Sequence, residues 1–132
     1  MSRENVELAR EVIEAVAARD ISSLLLMTDP EIECRSFFAI AEGGEYHGHD
    51  GMRRYVRDLD EAWETLRPEI TDLLDGGDVV VGVGRIHYRG KGGGVETESE
   101  AGWMFRFHHG KLIRFRAFRH PSQALEAIGL AE

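Results

Sequence analysis

The sequence has few of the residues that crosslink or break a chain. Its one cysteine, Cys34, can form neither an internal disulfide nor a multi-cysteine metal site. Three prolines are present, and no repeat or low-complexity tract. The N-terminal residues are charged at helical spacing, where a signal peptide would have an unbroken apolar run. We therefore expect one cytoplasmic domain over residues 1–132.

Acidic residues are absent from one long segment, although the chain as a whole is acidic. The formal net charge is −8, which opposes binding to nucleic acid and to anionic membranes, and we expect neither partner. Between Ala101 and Leu125 there is no Asp or Glu, and the basic side chains are Arg106, Lys111, Arg114, Arg116 and Arg119. This segment is either a basic strand paired with an acidic neighbour or a cationic wall for an anionic ligand.

The first half of the chain has the periodicity of helices. Residues 4–19 place apolar side chains at steps of three and four, which predicts a helix with one buried face. Asp20 is the predicted cap of a second short helix that Pro30 stops, and residues 31–36 alternate as a strand. Asp50 is the predicted cap of a third helix, whose apolar side includes Tyr55 and extends towards Trp63.

After Pro68 the period changes to two, which predicts an antiparallel meander. Its strands are expected over residues 70–74, 79–89, 95–108 and 111–118. A turn over residues 75–78, a glycine-rich loop over residues 90–94 and a two-residue His109-Gly110 turn connect them. A short last helix is expected to begin at Pro121 and to end near Gly129.

Two hairpin registers assign side chains to the faces of this sheet. A regular hairpin at His109-Gly110 places Trp103 opposite Arg116. The neighbouring hairpin forms a ladder of opposite charges, with Arg85 facing Glu100, His87 facing Glu98 and Arg89 facing Glu96. The face turned to the helices is then expected to carry Val80, Ile86, Tyr88, Trp103, Phe105, Phe107, Leu112, Arg114, Arg116, Phe118 and His120.

The opposite, outer face is also partly apolar, which predicts contact with a second copy of the chain. The residues expected there are Val79, Val81, Val83, Met104, Ile113 and Phe115. A homodimer through this outer sheet face would bury them.

The order of these elements, with four local motifs, resembles a known family. The motifs are Asp20-Ile21 leading to Pro30-Glu31-Ile32-Glu33, Tyr46-His47-Gly48-His49-Asp50-Gly51-Met52, Trp103 leading to Gly110-Lys111-Leu112, and the run from Gln123 to Leu130. Together they resemble the SnoaL-like branch of the nuclear-transport-factor-2-like superfamily over essentially the whole chain. The resemblance implies an α+β fold, in which a cone-shaped, curved antiparallel sheet wraps around three N-terminal helices and a short C-terminal helix follows.

The resemblance implies a pocket but no single reaction. The superfamily includes ketosteroid isomerases, polyketide cyclases, limonene epoxide hydrolases and dehydratases, and also binding modules without catalysis. SnoaL-like relatives commonly have an aromatic-x-Asp before the last helix, where this chain has Phe118-Arg119-His120. Cys34 stands where a tryptophan is common. The isomerase and epoxide-hydrolase carboxylates therefore have no counterpart here.

These positions lead to a predicted site in the cone. His120 precedes Pro121, and a helix N-terminus there would favour a neutral ring that acts as a base. The predicted catalytic residues are His120, Arg116 and Tyr55, and the predicted substrate-binding residues are Tyr88, Trp103 and Phe118. Alternatively, His120 fills a wall and Arg116 pairs with an acid from a helix. We expect no cofactor and no metal, since Glu45, His47 and His49 lie in a loop that the resemblance makes a structural turn.

Two functions of different class remain open. One is a cofactor-independent isomerase, cyclase, dehydratase or hydrolase that acts on a small apolar carbonyl or epoxide compound by acid/base chemistry. The other is a non-catalytic ligand-binding or dimerisation module. A deep cavity with converging polar groups favours the enzyme, and a filled cone favours the module.

Overall fold

The structure is a computed structural model that describes residues 2–38 and 44–127. Its helices are α1 (Ser2–Ala18), α2 (Ile21–Met27), α3 (Gly48–Ala62) and α4 (Pro121–Ala127). Its strands are β1 (Thr28–Ser36), β2 (Glu45–His47), β3 (Trp63–Gly76), β4 (Val79–Gly90), β5 (Thr97–His108) and β6 (Lys111–Phe118). No helix in the described part of the chain is both long and apolar enough to cross a membrane.

The six strands form one curved, unclosed sheet in the order β2-β1-β6-β5-β4-β3. The meander from β3 to β6 is antiparallel, as predicted. Strands β1 and β6 run parallel, a pairing that the sequence analysis did not predict. The predicted α+β fold is confirmed, with this one parallel pair added.

Local signals in the sequence set most element ends. Asp20 caps α2 as predicted, because its side chain accepts a hydrogen bond from the Ser23 amide (3.1 Å). The predicted turn at His109-Gly110 also forms, with φ of 51° and 74°, the left-handed conformation that tight hairpins require. The predicted end of α4 at Gly129 lies outside the described residues.

Two predicted ends of α3 are wrong. The helix begins at Gly48, because β2 pairs with β1 up to His47 and the chain turns directly into the helix. Asp50 therefore lies in the first turn, where it pairs with Arg53. Trp63 is the first residue of β3, paired with Gly90, and its indole Nε1 donates to the carbonyl of Phe38 (2.9 Å).

The main core lies between the sheet and helices α1, α2 and α3, on what we call the inner face. The largest fully buried side chains include Trp103, Phe105, Phe115, Leu24 and Met52. Apolar side chains from the helices and from alternate strand positions share one buried cluster, as the two periodicities of the sequence predict.

The opposite side of the sheet is the outer face, and α4 covers part of it. Ala124 and Leu125 of α4 pack with Val81, Met104 and Phe118, which alternate with inner-face residues along their strands. Gly102 allows this close approach, because a Cβ there would lie 2.9 Å from the Cα of Pro121. Val81 and Met104, predicted to form a dimer contact, are thus buried within the chain itself.

The register predicted between β4 and β5 is confirmed for Arg85 and His87 but not for Arg89, since the pairing ends at Tyr88 with Thr97 and Arg89 pairs with Glu64 of β3. The register predicted between β5 and β6 is wrong beyond its first pairs. Arg85 lies opposite Glu100 and His87 opposite Glu98, as predicted. Phe107 lies opposite Leu112, but Arg106 then faces Arg114, so Ile113 is an extra residue in β6. This bulge moves every later side chain of β6 to the other face.

Candidate functional site

The bulge at Ile113 divides the six predicted site residues between the two faces of the sheet. Phe115 and Ala117 point into the core, and the prediction that Phe115 lies on the outer face is wrong. Arg116 and Phe118 alternate with them and lie on the outer face, so the inner position predicted for both is also wrong. His120 follows β6 and is exposed, and its predicted inner position is wrong for the same reason.

The outer residues form an open groove that we call the β1–β6 groove. One side is the end of β1 and the residue after it, the floor is the end of β6, and the other side is the start of α4. The groove has a volume of about 520 Å³ and is lined by Arg35, Ser36, Phe37, Arg116, Ala117, Phe118, Arg119, His120 and Gln123. Pockets for small ligands in proteins are commonly about 300–1,000 Å³.

In the part of the groove that the structure describes, the charged side chains are all of one sign. Three arginines and one histidine lie among the lining residues, and no Asp or Glu does. Arg35 is neutralised from outside by an ion pair with Glu45 on β2. The β1–β6 groove is therefore a positively charged surface in an acidic protein.

Arg116 lies on the floor of this groove, where β6 pairs with β1. Within the described residues it has no ion pair, since the nearby Glu33 and Glu45 pair with Arg114 and Arg35. Partial burial, with the neighbouring charges of Arg114 and Arg35, lowers the pKa of Arg116 from its ordinary value. An anion beside this guanidinium would relieve both effects.

The groove also offers aromatic surface. Phe37 is 55% exposed, which is unusual for a phenylalanine, and the guanidinium of Arg119 lies 5.5 Å from the centre of its ring. Phe118 lines the floor of the groove, and its side chain also packs against the cluster of Val81, Met104 and Ala124 that α4 covers. The groove thus combines apolar contact area with positive charge.

A second hollow of about 460 Å³ adjoins this groove and shares Arg35 and Arg116 with it. Its lining adds Arg54, Arg114 and His47, but also the carboxylates of Glu33 and Glu45. Those carboxylates compete with any anion for the arginines. The β1–β6 groove is therefore the better candidate for an anionic ligand.

The remaining predicted residues lie on the inner face. Tyr55 and Trp103 are buried in the core, and Tyr88 is half-buried against Trp63. Burial raises the pKa of Tyr55, with a smaller contribution from nearby Cys34, and a hydrogen bond with Ser36 opposes the shift. These three side chains and the three outer ones are on opposite sides of the sheet, so they do not contact one ligand.

Glu45, His47 and His49, predicted to lie in a loop, are instead on β2 and in the first turn of α3. Glu45 pairs with Arg35, His47 Nε2 lies 3.2 Å from Glu31, and His49 Nε2 lies 3.1 Å from the carbonyl oxygen of Thr28. Each side chain has a different partner, and the three do not gather around one point.

Sequence reasoning missed Arg35, Phe37 and Arg119 as groove residues. Arg35 and Arg116 meet because β1 pairs with β6 in parallel, and Cα of Arg35 is registered with Cα of Arg116. A parallel pairing between strands so distant in sequence leaves no local signal. Arg119 was within the acid-free segment, and that segment was the available signal.

The structure defines an α+β protein with a curved open sheet, helices on its inner face and a basic groove on its outer face. This chain belongs to the SnoaL-like domain family, whose match covers residues 9–115. No curated protein matches the chain.

Solved structures share the whole fold. An NTF2-like protein of unknown function from Burkholderia pseudomallei K96243 has 20% identity and a TM-score of 0.79, covering 93% of this chain and 95% of that chain. An NTF2-like protein from Burkholderia thailandensis E264 has 26% identity and a TM-score of 0.75, with coverages of 91% and 95%. A candidate SnoaL-like polyketide cyclase from Shewanella denitrificans OS-217 has 17% identity and a TM-score of 0.73, with coverages of 92% and 96%.

Proposed function

We propose that this protein binds a small apolar molecule carrying an anionic group, such as an aromatic carboxylate, in the β1–β6 groove. The observation that carries the proposal is Arg116, which has no ion pair within the described residues and lies in a groove whose described lining has no acidic side chain. An arginine binds a carboxylate through two parallel hydrogen bonds, and its planar group suits this geometry better than a lysine does.

The other lining residues have complementary roles in this proposal. Phe37 and Phe118 supply the apolar contact for the body of the ligand. Arg119, over the ring of Phe37, orients that ring and adds positive charge at the mouth. Gln123 accepts a hydrogen bond from the amide of His120 (3.0 Å), which holds the start of α4 against the groove.

The proposal is ligand binding and not acid/base catalysis. The enzyme hypothesis required His120 as a base together with a tyrosine as an electrophile on one substrate. Tyr55 and Tyr88 lie on the inner face, and the described lining of the groove includes no tyrosine. The alternative of a non-catalytic ligand-binding module is therefore better supported.

The test compares two probes of the same shape and different charge. We expect 1-naphthoate to bind in calorimetric titration, and 1-naphthalenemethanol, which lacks the charge, to bind about tenfold more weakly or worse. Arg116→Gln should remove most of this difference, because the charge-assisted contact is lost. Arg57→Gln, an exposed arginine on α3, is the matched control and should bind both probes as the parent does.

Two results would contradict the proposal. Equal affinity for the charged and the neutral probe would show that the groove does not select anions. Unchanged naphthoate affinity in Arg116→Gln would place the probe elsewhere. Phe37→Ala separates the two parts of the site, since it should weaken both probes alike.

A further inference from the structure

A cluster of one histidine and two glutamates lies on the outer face, away from the β1–β6 groove. Glu69 is on β3, His87 on β4 and Glu98 on β5, which are neighbouring strands. His87 and Glu98 are registered directly opposite each other, and Glu69 is diagonal to His87. One ligand-capable atom from each of the three side chains lies within 4.8 Å of the other two.

The separations between these atoms are close to those around a metal ion. His87 Nε2 lies 2.9 Å from Glu69 Oε1 and 3.8 Å from Glu98 Oε2. Two ligand atoms bound about 2.1 Å from one zinc ion at a tetrahedral angle are roughly 3.4 Å apart. The observed distances lie on either side of this value, so small side-chain rotations would complete the arrangement.

The three side chains differ in how freely they can move. The side chain of His87 is 17% exposed and is held between the strands, whereas those of Glu69 and Glu98 are about half exposed. A fixed imidazole with two adjustable carboxylates needs little reorganisation to bind an ion. From this geometry we propose that Glu69, His87 and Glu98 bind Zn²⁺, with the fourth position left to water.

Neighbouring charges set the strength expected of this site. Arg85 Nε donates to Glu98 Oε2 (2.7 Å), and Arg67 and Arg85 both act on Glu69, whose pKa is lowered chiefly by its hydrogen bond with His87. Zn²⁺ must compete with Arg85 for Glu98. Removing this arginine should therefore strengthen Zn²⁺ binding, whereas removing a ligand should weaken it.

The experiment titrates chelator-treated full-length protein with Zn²⁺ alone in a calorimeter, with Co²⁺ absorption as a second readout. We expect one bound equivalent of Zn²⁺. His87→Ala should weaken binding about tenfold or more, and Glu98→Gln should also weaken it. Arg85→Gln should increase the affinity several-fold, a result that general loss of structure does not produce.

Other histidines provide the controls. His47 pairs with a single carboxylate, Glu31, so His47→Ala should leave Zn²⁺ affinity unchanged. His108 and His109 have ring centres 4.0 Å apart at an exposed hairpin tip, so the experiment must exclude them as alternative zinc ligands. Absence of Zn²⁺ binding, or binding lost in a His108→Ala/His109→Ala variant and kept in His87→Ala, would overturn the proposal.

Discussion

At the residue scale, three groups that ionise in alkaline solution lie close together in or beside the core. Burial raises the pKa of the Cys34 thiol and that of the Tyr55 hydroxyl. The pKa of Tyr46 is also raised, first by burial and then by a hydrogen bond to Asp58, to which its hydroxyl donates (2.6 Å). The folded chain thus keeps all three groups protonated over a pH range in which the unfolded chain loses these protons.

This difference predicts that the protein loses stability in alkaline solution. The unfolded chain ionises near the ordinary pKa values of 9.0 for cysteine and 10.0 for tyrosine. Above these values the unfolded state binds fewer protons than the folded state, so the free energy of unfolding falls as pH rises. Each fully buried group contributes a fall of about 1.4 kcal/mol per pH unit above its unfolded pKa.

Urea unfolding between about pH 8 and about pH 11 measures this dependence. Tyr55→Phe should reduce the fall, because one of the ionising groups is gone. Tyr88→Phe changes a half-buried tyrosine on the same face and serves as the comparison. A free energy of unfolding that stays constant over this range would contradict the prediction.

At the element scale, one extra residue in β6 is the reason why the sequence predicted the ends of this strand but not the faces of its side chains. The ends of β6, the turn before it and the register of β4 with β5 follow from alternation and turn residues, and they are confirmed except for the predicted pair of Arg89 with Glu96. The bulge at Ile113 was not predicted, because a regular two-residue hairpin accounts equally well for the pairing of Phe107 with Leu112. With period-two alternation, that single residue is enough to reverse the faces of Arg116 and Phe115.

A physical signal for this bulge was present in the residues themselves. The regular register placed Arg114 and Arg116 among aromatic side chains on the buried face. An unpaired charge there lowers the stability of the folded state by roughly several kcal/mol. The bulge removes that cost, since both arginines reach the outer face and Phe115 is only 1% exposed. Charge burial was the better guide to the faces, and strand alternation alone was insufficient.

The close packing of α4 on the sheet at Gly102 predicts how a larger residue there changes stability and ligand binding. A Cβ at residue 102 would lie 2.9 Å from the Cα of Pro121 and 3.0 Å from the Cβ of Ala124, so Gly102→Ala forces α4 away from the sheet. We expect a loss of about 1–3 kcal/mol in the free energy of unfolding. Because α4 carries one side of the β1–β6 groove, naphthoate binding should weaken as well.

Gly94→Ala is the matched change, because a Cβ there would approach the backbone of Gly90 no closer than 3.9 Å. Urea unfolding and naphthoate titration of both variants measure the two effects. If Gly102→Ala were as stable as Gly94→Ala and bound the probe equally well, the proposed role of α4 would be wrong.

At the scale of the whole molecule, the groove is basic whereas the chain as a whole is acidic. The chain has a formal net charge of −8, yet the lining of the groove is basic. Long-range repulsion from the acidic surface opposes the approach of an anion. The attraction that gives affinity must therefore come from short-range contacts with Arg116 and its neighbours. Composition could predict the acidic surface and the basic segment, but not their relative position, which depends on the parallel pairing of β1 with β6.

The outer face still predicts a homodimer, although for a different reason from the one based on apolar residues. Helix α4 covers Val81 and Met104 within the chain. The uncovered part of this face, on β2, β1 and β6, places Glu33 and Glu45 among Arg35, Arg114 and Arg116. In a two-fold dimer the same patch meets itself, and a surface with both signs can then pair acids of one copy with Arg116 of the other.

This dimer would be electrostatic, and its salt dependence distinguishes it from an apolar one. Light scattering at low salt should give about twice the chain mass of 14.9 kDa, and the mass should fall towards that of one chain as salt screens the pairs. Arg116→Gln should weaken the dimer, whereas Arg57→Gln, on the opposite side of the sheet, should not. Naphthoate should also favour the monomer, because it occupies the same arginine. A single-chain mass at every salt concentration would contradict the dimer and leave the groove permanently open to its ligand.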